Sequence, residues 1–338
     1  MFADTIDAHI MGGYKFLMQS CMLHRVGLLP PNNSEQVAFA YTIFRRDDDF
    51  GRKQADDFKR AFSTTVDIEF LGVWDTVGSV GFRPEKPPFS TSARFIKTYR
   101  HAMSLDERRA KFQANPWNKH LSLPEVDTNI EEVCLAGCHS DVGGGSVRNE
   151  VRHSLARIPL RWMVREIFKA NAGIRFLPNR LYAIGLNPST IYPDIVDRPG
   201  PLPVGEHEIR EPCRKELPFR PSIFGPKYPT AWDSEPRKTG PAAMLDSEEH
   251  EELKDALSPI YDRMSIRKWW WILEYIPLPL RRIRNGQSTI RLGFNLGKPR
   301  LVESQNLHRS VKMRMEAKHK YGKYKPKAEF RGKQTYVD

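Results

Sequence analysis

The 338-residue chain predicts an α/β fold, with a mostly parallel sheet flanked by helices and a loop-rich C-terminal extension. Three observations carry that expectation. Two short runs of β-branched and aromatic residues, "VDIEFLGVW" and "IEEVCLA", are separated by sequence of helical character, the pattern of parallel βαβ connections. Each run ends at an ionisable residue, Asp75 or His139, and functional groups in parallel sheets gather at the carboxyl ends of strands. Beyond residue 175 the hydrophobic periods fade into proline- and charge-rich sequence.

The elements follow in chain order. Ile6, Ile10, Tyr14, Leu17, Met18, Cys21 and Met22 recur at helical spacing, giving one helix or two broken ones over 4–26, weakened at Gly12-Gly13. "GLLPPNNSEQ" stops it, and Ser34 reads as the cap of a second helix. A third, charged helix is expected near 51–62, then the strand that ends at Trp74-Asp75. A proline-rich loop occupies 82–92. "SLDERRAKFQ" reads as a helix with Ser104 as cap and Glu107 as its capping-box partner. The second strand, 130–137, leads to His139, and a long amphipathic helix is expected over 149–171. Residues 186–242 read as loops or a cap-like insertion, "TIRLGFNLGKPR" as a final hairpin strand, and 306–318 as a terminal helix with His308 near its start.

Composition narrows the function classes. No apolar run is long enough for a membrane-spanning helix, and the first residues lack the basic-then-apolar order of a secretory leader. Cys21, Cys134, Cys138 and Cys213 show no framework spacing, so reduced thiols and a cytoplasmic location are expected. The net charge is +12, and ten Lys/Arg against three acids follow from His308 onward. That tail can bind nucleic acid or anionic lipid, or be a solvated, partly disordered end, which its low hydrophobicity favours. No nucleic-acid-binding module is present. "SIRKWWWILEYIPLPLRRIR" sets Trp269, Trp270 and Trp271 beside basic residues. It is either an aromatic face packed on the core, the favoured reading, or a peripheral membrane contact.

A carboxylate that orients an imidazole, which activates a hydroxyl, is the logic of nucleophilic hydrolases, and Asp75 followed by His139 fits their strand-end placement. The plainer reading is that Asp75 caps a turn and His139 bonds backbone. Asp141 either holds His139 or caps the turn that follows. Its neighbouring glycines fit neither a phosphate loop nor a dinucleotide fingerprint, so no cofactor is expected. A metal site from Cys134, Cys138, His139 and Asp141 is disfavoured, because the two cysteines and His139 point to opposite faces of a strand. No serine in the chain stands in Gly-x-Ser-x-Gly.

The segments "DAHIMGGYKFLMQ", "MLHRVGLLP", "FLGVWDTVGSVG", "HAMSLDERRAKFQANPWN", "AGCHSDVGGGSVRNEVRHSLARIPLRWM" and "HRSVKMRM" together resemble fungal members of an α/β-hydrolase family. Type VI secretion phospholipase effectors, with their Tle-like catalytic domain, typify that family. The resemblance is densest over residues 9–175. It implies an incomplete α/β-hydrolase fold, Asp75 as the acid, His139 as the base with Asp141 beside them, and His308 as a second histidine of interest. The family's serine elbow lies between the segments matching "YKFLMQ" and "MLHRVGLLP", which here are nearly fused, with only Ser20 and Cys21 between them. The helical pattern through Ser20 presents no strained elbow. The resemblance therefore implies a partial catalytic domain over 1–175, a cap or extension over 176–307 and a basic helical or disordered tail over 308–338. Esterase or phospholipase chemistry on a lipid or ester substrate is expected by descent, impaired by the missing nucleophile. A non-catalytic lipid- or protein-binding relative is the alternative.

Overall fold

The computed structural model describes residues 22–31, 34–46, 48–77, 96–117, 128–218, 240–244, 247–284, 287–302, 304–320, 322–330 and 332–338. Most of the helix expected over 4–26, including Ser20 and Cys21, lies outside these residues, as do Ser79, the loop at 82–92 and residues 219–239. The chain divides into two compact units.

The first unit comprises Met1–Leu71, Val80–Tyr99 and Trp117–Ile130. Its helices α1 (Ser34–Arg45) and α2 (Asp49–Phe62) bury Ala40, Ile43, Phe44, Ala55 and Phe58 against Val26. Asp48 begins α2 by accepting the Gly51 N–H at 2.7 Å, which satisfies a donor the helix start leaves over.

The second unit comprises Gly72–Ser79, Arg100–Pro116 and Glu131–Asp338. The main sheet runs in the order β1 (Ile68–Trp74), β2 (Ile96–Ser104), β3 (Asn129–Leu135), β7 (Asn306–His308) and β9 (Thr335–Val337). β3 pairs with β7 and β7 with β9, both parallel. Met103, Leu105, Cys134, Ala136, Leu307 and Val311 form the core beneath its carboxyl ends. β1 and β3 stand where the sequence places them.

β2 is a correction. The sequence pattern shows no strand there and predicts a helix from Ser104. Ser104 ends the strand, and its N–H donates to Asp75 Oδ1 at 2.8 Å rather than opening a helix. Glu107 Oε1 accepts the backbone N–H groups of Arg108 and Arg109, folding residues 105–112 into turns. β2 escaped notice because its buried positions include charged groups: Arg100 bonds Glu166 at 2.6 Å, and His101 bonds Glu132 at 3.1 Å.

After β3, α3 (His139–Gly143) is a single turn and α4 spans Arg157–Lys169. The expected start of that helix at 149 is too early. Pro159 has no N–H to donate and its ring clashes with a preceding turn, so it is accommodated only in the first turn. Next come α5 (Pro178–Ala183) and α6 (Glu248–Ala256), neither of which the hydrophobic pattern revealed. α6 is buried through its acids: Arg161 reaches Asp255 at 2.6 Å, Arg157 reaches Glu251 at 3.0 Å, and Arg165 pairs with Glu248.

The tryptophan-rich stretch forms α7 (Arg263–Ile266) and α8 (Trp270–Glu274), followed by the antiparallel hairpin of β4 (Leu278–Arg284) and β5 (Gln287–Gly293). The hairpin agrees with the strand expected at its second arm. β6 (Leu301–Val302) pairs in parallel with β8 (Glu329–Phe330). Between them, α9 (Arg309–Glu316) follows β7 and is capped by the His308 side chain. The stretch from His308 onward was expected as a helical or disordered tail. The helix is present as α9, with Val311 and Met313 buried, and the stretch beyond it also supplies β8 and the last strand of the main sheet's order, β9. β8 and β9 are only two and three residues long, too short for a hydrophobic period to show in the sequence.

Candidate active site

Asp75 follows β1 and His139 opens α3 just beyond β3, so the ends of the two strands that flank β2 converge with a helix start. His139 Nδ1 lies 2.8 Å from Asp75 Oδ2. The backbone at Asp75 turns into the left-handed region, φ 42°, a conformation that Asp tolerates better than most residues. Two bonds hold the bend: Asp75 N–H donates to the Ala102 carbonyl at 2.7 Å, and Thr76 N–H donates to His101 Nε2 at 3.1 Å.

Asp75 is fully buried and carries three donors. Besides His139 and the Ser104 N–H, the buried Arg300 guanidinium reaches Oδ1 at 2.6 Å and Oδ2 at 3.2 Å. Burial alone pushes the carboxyl up. Arg300, and then His139, outweigh it and hold the group well below the usual carboxylate range. An ionised carboxylate only accepts, so His139 Nδ1 carries the shared proton and the lone pair of the neutral ring sits on Nε2. Arg300 itself is anchored by the carbonyls of Ser104 and Phe112.

The His139 side chain remains one-third exposed. Its backbone N–H donates to Glu107 Oε2 at 3.2 Å, and its ring meets Phe112 edge-on at 4.9 Å. Arg109 lies over the Phe112 ring, 3.5 Å from its centroid, and is held in place by both Glu107 oxygens. Among the described residues no hydroxyl bonds either ring nitrogen of His139. The arrangement can orient a histidine and stabilise its protonated form, which is the acid–base part of a hydrolase relay.

Asp141 does not hold the imidazole. Its Oδ2 accepts the N–H groups of Cys138 and Tyr261, each at 3.0 Å, so it closes the α3 turn and ties it to the segment before α7. Burial raises its pKa to about 6, against the lowering effect of those two N–H groups. His308 lies in a different cluster, bonded to Ser310 and 3.8 Å from Glu252. Burial lowers its pKa to about 4.

Among the described residues two groups have metal-like spacing, His153–Glu251–Asp255 and Glu252–His308–Asp338. Guanidinium groups already occupy both, from Arg157 and Arg161 in the first and from Arg198 and Arg309 in the second. A cation there would displace an ion pair already made. Nearby, a cleft of about 860 Å³ is lined by Trp74, Val142, the Gly143–Gly145 turn, Arg148, Arg152 and Leu160.

Arg300, Phe112 and Arg109 were not found by sequence reasoning. Arg300 lies 225 residues from Asp75, and no local pattern connects them. The available clue was general: a buried carboxylate at a strand end requires a donor.

Residues 19–166 match the family described as "T6SS, Phospholipase effector Tle1-like, catalytic domain". An uncharacterized protein of Saccharomyces cerevisiae is 31% identical over 147 residues, covering 33% of this chain and 22% of its own length. The chain therefore spans about a fifth of the length of that curated relative. A crystal structure of an uncharacterized protein from Pseudomonas aeruginosa aligns with 23% identity and a TM-score of 0.26, covering 38% of this chain and 21% of that one. Over residues 19–166, the stretch that holds both Asp75 and His139, the chain is thus similar to the catalytic domain of the Tle1-like phospholipase effectors.

Proposed function

We propose that this chain carries the acid–base half of a lipid-ester hydrolase and turns over little or no ester, because among the described residues no nucleophile is presented to His139. The observation that carries the reading is the 2.8 Å bond from His139 Nδ1 to a buried, ionised Asp75, with Nε2 directed away from that bond and lacking a hydroxyl partner among the described residues. In a complete relay Nε2 takes the proton of a serine as that serine attacks the ester carbonyl, and returns it to the leaving alcohol. Asp75 has the role of orienting the ring and stabilising its cation, and Arg300 fixes Asp75. Asp141, a member of the site by sequence, has a supporting role through Cys138 and Tyr261. The free, buried thiols of Cys134 and Cys138 fit a reducing compartment, the cytosol.

The purified chain is assayed with a short-chain nitrophenyl ester and with a phospholipid. The expected result is turnover at the level of buffer, unchanged in His139→Ala. Ester turnover that His139→Ala abolishes would overturn the impairment and restore a working nucleophile.

A further inference from the structure

We propose that α8 and the outgoing arm of the β4–β5 hairpin form a docking face for an anionic lipid bilayer, leading to the rim of His139. This deepens the reading above, since it supplies the surface from which a lipid ester would reach the site. It does not require that hydrolysis occur.

The face is built from Trp269, Ile272, Tyr275, Leu292, Phe294 and Leu296, each between 45% and 71% exposed. Large apolar side chains at that exposure and density mark an interaction surface rather than scattered surface residues. The buried Glu274 carboxylate holds the two elements together: it accepts from Asn295 at 2.7 Å, from the Gly297 N–H at 2.9 Å and from the Ala110 N–H at 2.7 Å. Leu296 N–H also donates to the Glu274 carbonyl. In the hairpin, Leu278 and Leu280 pack on Ala110. Leu292 pairs with Pro279, between them in the strand, and so points to the opposite, outward side.

Of the three tryptophans only Trp269 belongs to this surface. Trp270 packs on Phe112 and Arg109, and Trp271 packs under Gly297 and Arg108. A file of rings therefore runs inward from the exposed face: Trp269 stacks on Trp270 at 4.2 Å, Trp270 meets Phe112 at 5.7 Å, and Phe112 meets His139 at 4.9 Å.

Charge selects the occupant. Residues 263–300 hold nine Lys/Arg and one acid, the buried Glu274, so the segment is strongly basic. Lys268, Arg291 and Lys298 are exposed on it. Aromatic and aliphatic groups interspersed with uncompensated cations match the headgroup region of a bilayer carrying anionic lipid. An apolar face meant for a second copy of the chain would bring these like charges together.

Sedimentation with phosphatidylcholine vesicles containing phosphatidylglycerol, and with phosphatidylcholine vesicles alone, tests the proposal. The chain is expected to pellet with the anionic vesicles, several-fold less with neutral ones and less at high salt. Ile272→Ser, Leu292→Ser and Phe294→Ser combined should weaken pelleting about tenfold or more, since each removes an apolar group that enters the interface. An unchanged circular dichroism spectrum shows that the variant folds. His139→Ala should pellet like the parent, so a failed hydrolase reading leaves this result intact. Equal pelleting of the triple variant, or a dimer in sedimentation velocity that the triple variant disperses, would overturn the proposal.

Discussion

Arg300→Met removes the guanidinium that faces Asp75 while keeping an unbranched side chain in its place. The structure sets the magnitude. Arg300 is buried, bonds both Asp75 oxygens and satisfies the Ser104 and Phe112 carbonyls. Breaking a buried ion pair by removing one partner costs about 3–5 kcal/mol, because the remaining charge stays out of water. That is a large share of the roughly 5–15 kcal/mol that holds a domain folded. The pH dependence separates this cause from lost packing. In the parent, Asp75 is held below its ordinary range, so its stabilising contribution is present above the unfolded value of about 3.9 and is lost only as pH falls through the lower folded value. In the variant, burial loses its main opponent and raises the folded value. The penalty then stands at neutral pH and is relieved as acid protonates Asp75. Urea denaturation of both chains at neutral pH and at about pH 4 should give a difference that shrinks in acid. A loss under about 1 kcal/mol at neutral pH, or one that does not change with pH, would refute the assignment of Arg300 as the counter-ion of Asp75.

Further outcomes follow from the same structure. Glu252 is held at about 2 by Arg198, His308 and Arg309 against the upward push of burial. Its contribution, about 3 kcal/mol, is present above pH ~4.5 and lost as pH falls toward the folded value, so Glu252→Gln should flatten the acid limb of stability against pH. Asp141, raised to about 6, has the opposite sign. Its stabilising contribution is full in acid and lost as pH rises through the folded value, so Asp141→Asn should compare more favourably with the parent above that value than below it in thermal melts. Gly137→Ala should destabilise the chain by about 2 kcal/mol or more, measured by denaturant midpoint. Gly137 has φ 114°, and an added Cβ would stand 2.6 Å from the Asp141 Cβ.

Parts of this architecture are legible because they follow from single-residue properties. β1 and β3 are apolar runs bounded by turns, and Asp75 and His139 stand out as ionisable groups just beyond them. Other parts are written in pairings that sequence does not display. β2 carries Arg100 and His101 into the interior only because Glu166 and Glu132 meet them. α6 reads as a solvated acidic helix, yet it is buried because arginines of α4 and the segment near 198 neutralise it. "SLDERRAKFQ" shows how a local signal loses to a tertiary one. Ser104 and Glu107 have the spacing of a capping box, but Asp75 takes the Ser104 N–H and Arg109 takes the Glu107 carboxylate. The three tryptophans look equivalent in sequence, and two of them pack inward.

The most direct test of the account is covalent labelling with a lipid-like fluorophosphonate, which phosphonylates a serine only when a histidine deprotonates it. Intact-mass spectrometry of the treated chain should show the unmodified mass, identical for the parent and His139→Ala. A single stoichiometric adduct on the parent that His139→Ala prevents would contradict the account, because it would reveal a serine already served by the Asp75–His139 pair.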